Sequence, residues 1–241
     1  MKKDETFKWD DKKFVEFYTD SANVIILERL RLIKILLEIV EFHFPSLSGL
    51  NILDLGCGDG IISRHIYDTS PDNSFFLVDA SEEMLKKAKI NLSGANATYS
   101  HYTFQDYIAS RTEYSKFNIV FSANAIHHLD FVEKIELFSK IYNELQFGGL
   151  FLNIDPVHPN SAYSEEIQFE IWRNWMNERL AKSDHKDAVG KYDTIPSVYK
   201  NNLENKPSSL WDQLEMLEKC GFRDVDCFYK YGIFSLFGGA K

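Results

Sequence analysis

Three glycines and an acid form the segment of this chain best suited to chemistry. The run Leu53-Asp54-Leu55-Gly56-Cys57-Gly58-Asp59-Gly60 follows Asn51-Ile52 and precedes Ile61-Ile62-Ser63-Arg64. It reads as a short apolar strand, a glycine-dense turn and the first turn of a helix. Gly56, Gly58 and Gly60 let the backbone take positive φ and let a ligand approach with no Cβ in the way. The helix beyond offers unpaired N–H groups at its positive end. Such a turn suits a nucleotide-like cofactor, with Cys57 as the small residue inside it. A dinucleotide site needs G-x-G-x-x-G/A, whose helix N-terminus takes the pyrophosphate. Here the spacing is G-x-G-x-G, and Ile61 stands where the third small residue belongs. Asp54, two places before the first glycine, would repel a pyrophosphate and suit the cationic amino group of an amino acid.

A second acid follows at the right interval. Phe75-Phe76-Leu77-Val78-Asp79-Ala80-Ser81 reads as a buried strand ending in Asp79, about 20 residues past the turn, where a ribose-binding acid belongs. A carboxylate there can accept both ribose hydroxyls. Ser81-Glu82-Glu83-Met84 then reads as a helix start with Ser81 as N-cap. Further on, Phe117–Ser122 reads as a strand running into Ala123-Asn124-Ala125-Ile126-His127-His128-Leu129. Ser122 and Ala123 are small and permit close backbone approach. At an ordinary pKa near 6.5, His127 or His128 is a candidate to remove a proton from a hydroxyl or amine. Adjacent residues on an incipient helix point about 100° apart, so at most one of the two faces a substrate. A helix-terminal hydrogen bond and a contact to the cofactor carboxylate are the competing roles. His127-His128-x-Asp130 does not converge on one face, so no metal is expected.

These motifs resemble those of the class I S-adenosylmethionine-dependent methyltransferases, in which a hydrophobic residue and an acid precede Gly-x-Gly-x-Gly. The resemblance runs from about Leu50 to Gly239. It implies that Asp54 holds the amino-acid end of S-adenosylmethionine and that Asp79 with Ala80 holds the ribose. It also implies that Met84 packs on the adenine, that Asp106 reads its amino group, and that Ala123 or Asn124 brackets the methionine. Ala125-Ile126-His127-His128-Leu129 is similar to an Ala-x-His-His-Leu run of small-molecule members. An Asp/Asn-Pro-Pro-Tyr/Phe run and a Pro-Cys nucleophile are both absent, which points away from DNA and from glutamine side chains. The expected reaction is methyl transfer to a small acceptor. Three alternatives stay open: a tRNA wobble-uridine-modifying relative, some of which use a carboxylated cofactor; a non-catalytic cofactor-binding protein; and a nicotinamide oxidoreductase, which Ile61 and Asp54 disfavour. The tRNA relatives share a similar helical front and the Gly-Phe-x-x-Val ending seen at Gly221–Val225.

The rest of the chain must position these residues. Its 241 residues fit one domain, and a net charge of -9 argues against a broad nucleic-acid footprint. Cys57, Cys220 and Cys227 form no Cys-x-x-Cys pair, which suits reduced thiols in the cytoplasm. The start Met1-Lys2-Lys3-Asp4-Glu5 lacks the apolar core of a signal peptide. Val24–Phe44 is broken by charges and reads as an amphipathic helix, not a membrane span.

Residues 1–45 read as a helical extension, with Asp20 and Ser21 as a break before a long helix that stops at Pro45. Tyr18 is a candidate to fold over the cofactor. A β-α-β-α series follows: strands at Asn51–Leu55, Phe75–Val78, Ala97–Phe104, Phe117–Ser122 and Leu150–Ile154. Helices are expected at Ile61–Tyr67, Glu82–Leu92 and Phe131–Leu145. Residues 156–209 read as a cap, helical over Glu165–Leu180 and irregular from Asp193 to Lys206. Leu210–Cys220 reads as a helix closed by Gly221, before an antiparallel hairpin of Val225–Tyr231 and Ile233–Phe237. The expected fold is α/β: a Rossmann-like, seven-stranded, mostly parallel sheet with that hairpin at its C-terminal end.

Overall fold

The computed structural model describes residues 9, 11–110, 116–182 and 186–241. Residues 1–8 and 10, at the front of the expected helical extension, lie outside the described residues. Two helices come first, α1 (Lys12–Ile25) and α2 (Arg29–His43). The alternating series is β1 (Asn51–Leu55), α3 (Ile61–Thr69), β2 (Ser74–Asp79), α4 (Glu82–Asn91), β3 (Asn96–His101), α5 (Phe104–Ala109), β4 (Phe117–Ala123), α6 (Phe131–Glu144) and β5 (Leu145–Pro156). The cap carries α7 (Ala162–Ala181) and α8 (Ile195–Asn201), and the chain ends with α9 (Leu210–Cys220), β6 (Arg223–Tyr231) and β7 (Phe234–Ala240).

The seven strands form one sheet in the order β3-β2-β1-β4-β5-β7-β6. The first five run parallel, and β7 inserts antiparallel between β5 and β6. The strand order reverses beside β1, where β2 lies on one side and β4 on the other, so ligands gather at the carboxyl ends of these strands. Side chains alternate across each strand, which splits the core in two. Ile52, Phe75, Leu77, Ile119, Phe121 and Leu152 pack with α2, α3 and α4 on one face. Leu53, Leu55, Val120, Phe151 and Phe237 pack with α6 and α9 on the other. Asp54 shares the face of Ile52 and so points toward α3.

The expected fold class is what the chain adopts, and four local expectations are corrected. Asp20 and Ser21 do not break the first helix. Ser21 Oγ donates to the Phe17 carbonyl at 2.6 Å and Thr19 Oγ to Val15 at 2.9 Å, so both hydroxyls are satisfied inside the helix. The break comes at Ile26–Glu28, where Glu28 takes a left-handed φ of 53°. The third strand stops at His101, because Thr103 caps α5 and draws Phe104 into it. The fifth strand begins at Leu145 rather than Leu150 and runs through Gly148 (φ 75°) with a register shift against β4. The stretch read as irregular after Asp193 contains α8, which Pro196 helps to start from the first turn, where a missing N–H does no harm.

The cap packs on the N-terminal helices. Trp172 Nε1 donates to the Ile25 carbonyl at 2.7 Å, Trp175 Nε1 to Glu28 Oε1 at 3.1 Å, and Met176 is fully buried. These side chains glue α7 to the body. No helix of the described residues is long and apolar enough to cross a membrane.

Candidate active site

A cavity of about 650 Å³ opens at the carboxyl ends of β1, β2 and β4. That volume lies within the roughly 300–1,000 Å³ range of small-molecule sites. Of the residues expected from the sequence, Asp54, Gly56, Cys57, Gly58, Asp79, Ala80, Met84, Ala123, Asn124 and His128 line it.

The glycine turn is pinned from below. The amides of Gly56 and Cys57 both donate to the Val78 carbonyl, at 2.8 and 3.0 Å. All three glycines take left-handed φ, from 54° to 72°, and their surroundings separate their jobs. A Cβ on Gly56 would lie 2.4 Å from Ala125 Cβ, and one on Gly60 would lie 2.7 Å from Leu92 Cδ1. Both are demanded by packing. A Cβ on Gly58 would meet nothing nearer than Met84 Sδ at 4.0 Å, so that glycine keeps space open toward the cavity.

Asp79 braces the turn. Its Oδ2 accepts from Gly58 N–H and its Oδ1 from Ser81 N–H, both at 2.8 Å. Ser81 caps α4 by accepting from Met84 N–H at 3.1 Å. Asp54 is buried, and Ser63 Oγ donates to its Oδ2 at 2.7 Å. Burial outweighs that hydrogen bond and, aided by Asp79 and Asp59, pushes the Asp54 carboxyl up to about 8. Burial likewise raises the Cys57 thiol well above its usual range, so it is an inert wall group.

The two histidines take different places, as their angular separation requires. His128 lines the cavity, and its Nδ1 donates to the Glu204 carbonyl at 3.2 Å. Burial, with His127 nearby, pulls its pKa down to about 3, so it is a neutral ring with a lone pair on Nε2. His127 turns away, its Nδ1 2.7 Å from Asp155 Oδ1 at the end of β5. A carboxylate accepts, so the ring nitrogen facing it is the donor of this contact. The two rings are 4.2 Å apart, and His127 keeps 9% of its side-chain surface exposed.

Asp106 is not brought to the cavity. It closes the capping box of α5, accepting from Thr103 N–H at 3.2 Å and Thr103 Oγ1 at 2.7 Å, and those bonds lower its pKa. Tyr102, Thr103, Phe104 and Gln105 form the wall there instead. Gly60 is also outside the lining; it shapes the turn from behind. Tyr18 does reach the cavity, where burial raises its hydroxyl to about 12. Sequence reasoning missed Arg29, which enters the cavity from α2 with its Nη1 donating to Asn23 Oδ1 at 2.8 Å. It also missed Leu203, Glu204 and Lys206, which line the cavity from the end of the cap, and Asp155, buried behind the wall against His127. No motif marks them; only the fold brings them in. The acidic residue at the end of β5 was the one available signal, since strand ends on this side carry the site.

Comparison with known proteins agrees with this geometry. A sequence profile described as a methyltransferase domain matches residues 52–149. A malonyl-[acyl-carrier protein] O-methyltransferase of Ilyobacter polytropus is 30% identical, over 76% of this chain and 75% of that protein. A carboxy-S-adenosyl-L-methionine synthase of Campylobacter jejuni is 26% identical, over 98% of this chain and 97% of that protein. Among solved structures, a magnesium protoporphyrin IX methyltransferase of Synechocystis with bound S-adenosylhomocysteine shares the fold, with a TM-score of 0.63 at 12% identity. That match covers 97% of this chain and 95% of that one. The chain belongs to the class I S-adenosylmethionine-dependent methyltransferase family. It is an enzyme, and S-adenosylmethionine is its cofactor.

Proposed function

We propose that this enzyme methylates a small molecule bearing a hydroxyl or amine, bound at the His127–His128 end of the cavity. The observation that carries this reading is the His127 Nδ1–Asp155 Oδ1 pair at 2.7 Å, set directly behind the cavity wall. The chain's own groups fit the cofactor. Gly58 leaves room for it, the buried Asp54 carboxyl meets an ammonium, Asp79 meets the ribose hydroxyls, and Arg29 meets the methionine carboxylate. Bound S-adenosylmethionine supplies an electrophilic methyl on its sulfonium. The protein then has to orient the acceptor, exclude water and let one proton leave. As the new bond to carbon forms and the sulfonium carbon–sulfur bond breaks, the acceptor's proton leaves past the His128 ring that lines the cavity, and His127, held by Asp155, packs behind that ring and fixes it. His128, neutral, offers its Nε2 as a hydrogen-bond acceptor that orients the substrate. A small acceptor also suits the net charge of -9, and the three free thiols suit the cytoplasm.

A second reading is favoured by the similarity across the whole chain to carboxy-S-adenosyl-L-methionine synthases. It is carboxylation of the cofactor at the expense of a carboxylate-bearing donor. One experiment separates the two. Purified enzyme with S-adenosylmethionine is incubated with pools of small hydroxy, amino and keto acids, and with tRNA, and the products are resolved by mass spectrometry. S-adenosylhomocysteine with a methylated small molecule, formed more slowly by His127→Ala, supports the first. A carboxylated cofactor without S-adenosylhomocysteine overturns it in favour of the second. Methylated tRNA alone overturns the small-acceptor assignment.

A further inference from the structure

Beneath the His127–His128 turn lies a lysine that is no part of the cavity wall. Lys134 sits in the first turn of α6 and is 0% exposed. A buried ammonium is strongly unfavourable unless its donors are met. Lys134 Nζ donates to the Lys206 carbonyl at 2.5 Å and to Ser208 Oγ at 2.9 Å. Burial draws its pKa down to about 8, against the attraction of Asp155, Asp130 and Glu133, so it is still mainly charged at pH 7.

Both groups it holds belong to one strap, residues 203–208, which joins α8 to α9 without helix or strand of its own. The strap is stitched to the site at three further points. Lys206 N–H donates to the His127 carbonyl at 2.7 Å, and His158 N–H to the Ser208 carbonyl at 2.9 Å. His128 Nδ1 donates to the Glu204 carbonyl at 3.2 Å. From the same strap Leu203, Glu204 and Lys206 face the cavity. An irregular segment has no ladder of its own, so these bonds decide where its side chains stand.

We propose that Lys134 is a positioning residue that latches strap 203–208 onto α6 and so sets the cavity wall beside the His127–His128 turn. The inference rests on reading that end of the cavity as the acceptor's. A long side chain with three donors can reach a carbonyl and a hydroxyl two residues apart, which an apolar core residue at this place could not do. The ammonium also feels the charge of Asp155, the residue that orients His127, so the cation that anchors the wall and the acid behind the histidines are electrostatically linked.

The test is amide hydrogen exchange on the full chain with S-adenosylhomocysteine bound, in wild type, Lys134→Met, Lys134→Arg and Ser208→Ala. Loss of a charged hydrogen bond is expected to speed exchange at the Lys206 amide by about tenfold or more in Lys134→Met. The effect should be smaller in Ser208→Ala, with rates in β1 to β3 unchanged in both. Lys134→Arg, which keeps charge and donors, should recover part of the protection. Should the buried Met variant not fold, Ser208→Ala carries the test. Unchanged strap exchange overturns the latch, and so does a uniform rise across β1 to β3, which would make Lys134 a general stabiliser. No acceptor is needed, so an acceptor screen that returned nothing would count against the proposed reaction and leave this result standing.

Discussion

On the proposed reading, in which the Asp54 carboxyl meets the cofactor's ammonium, cofactor binding is a proton-linked event. That carboxyl is buried and titrates at about 8 against an ordinary 3.8, so in the ligand-free protein near neutral pH it is mainly protonated. An ammonium seated against it favours the carboxylate, and the proton must leave on binding. Below about pH 8 the affinity for S-adenosylhomocysteine should therefore rise with pH, approaching tenfold per unit. With one site titrating at about 8, affinity at pH 7.5 exceeds that at pH 6 by about 25-fold, and about 0.9 proton is released per ligand at pH 7. The protein's stability runs the other way. A carboxyl whose folded pKa is raised favours the unfolded chain once pH passes about 4. Ligand-free stability then falls between about pH 4 and pH 8, at up to about 1.4 kcal/mol per unit from this group. The assay is isothermal titration with S-adenosylhomocysteine from pH 6 to 7.5, in two buffers of different ionisation enthalpy, for wild type and Asp54→Asn. The variant should bind weakly, with a flat pH profile. A flat wild-type profile with no proton release would refute the assignment of Asp54 to the ammonium.

Asp79→Ala should weaken S-adenosylhomocysteine about 100-fold or more, because the proposed charge-assisted bonding to ribose would be lost along with the brace on Gly58; equilibrium dialysis would read this directly. Gly60→Ala should destabilise the fold by about 2–4 kcal/mol in urea, since its Cβ would meet Leu92 at 2.7 Å in a left-handed backbone. Gly58→Ala should lose only about 1–2 kcal/mol from the same backbone strain yet bind the cofactor far less well, since its Cβ fills space otherwise left to the ligand. With the acceptor identified, His127→Ala and Asp155→Asn should each lower kcat about tenfold at unchanged cofactor Kd, by loosening the His128 ring packed against them. Equal loss of cofactor binding would instead place the pair in the cofactor site.

Much of this enzyme is written locally. Asp54, Gly56, Gly58 and Asp79 are legible because strand, turn and helix are consecutive, and the spacing of a βα unit by itself puts them at one strand end. The seven-stranded sheet follows from the same alternation, since parallel strands need crossover helices and a final Gly232 turn permits a hairpin. Asp106 stands outside the lining because a carboxylate three residues past Thr103 is taken by the helix cap, a local competition that family pattern alone does not reveal. Asp20 and Ser21 misled, for the helix satisfied their neighbourhood from within.

What the tertiary structure alone decided is which distant side chains gather around and behind the cavity. Arg29, His127 with Asp155, and the strap held by Lys134 come from segments far apart in the chain. They meet only because β4 and β5 pair in parallel and the cap returns across their carboxyl ends. No periodicity or spacing encodes such a meeting. Burial then puts adjacent histidines in different surroundings: His128 is stripped of water and kept neutral, while His127 is oriented by a carboxylate contributed from the next strand.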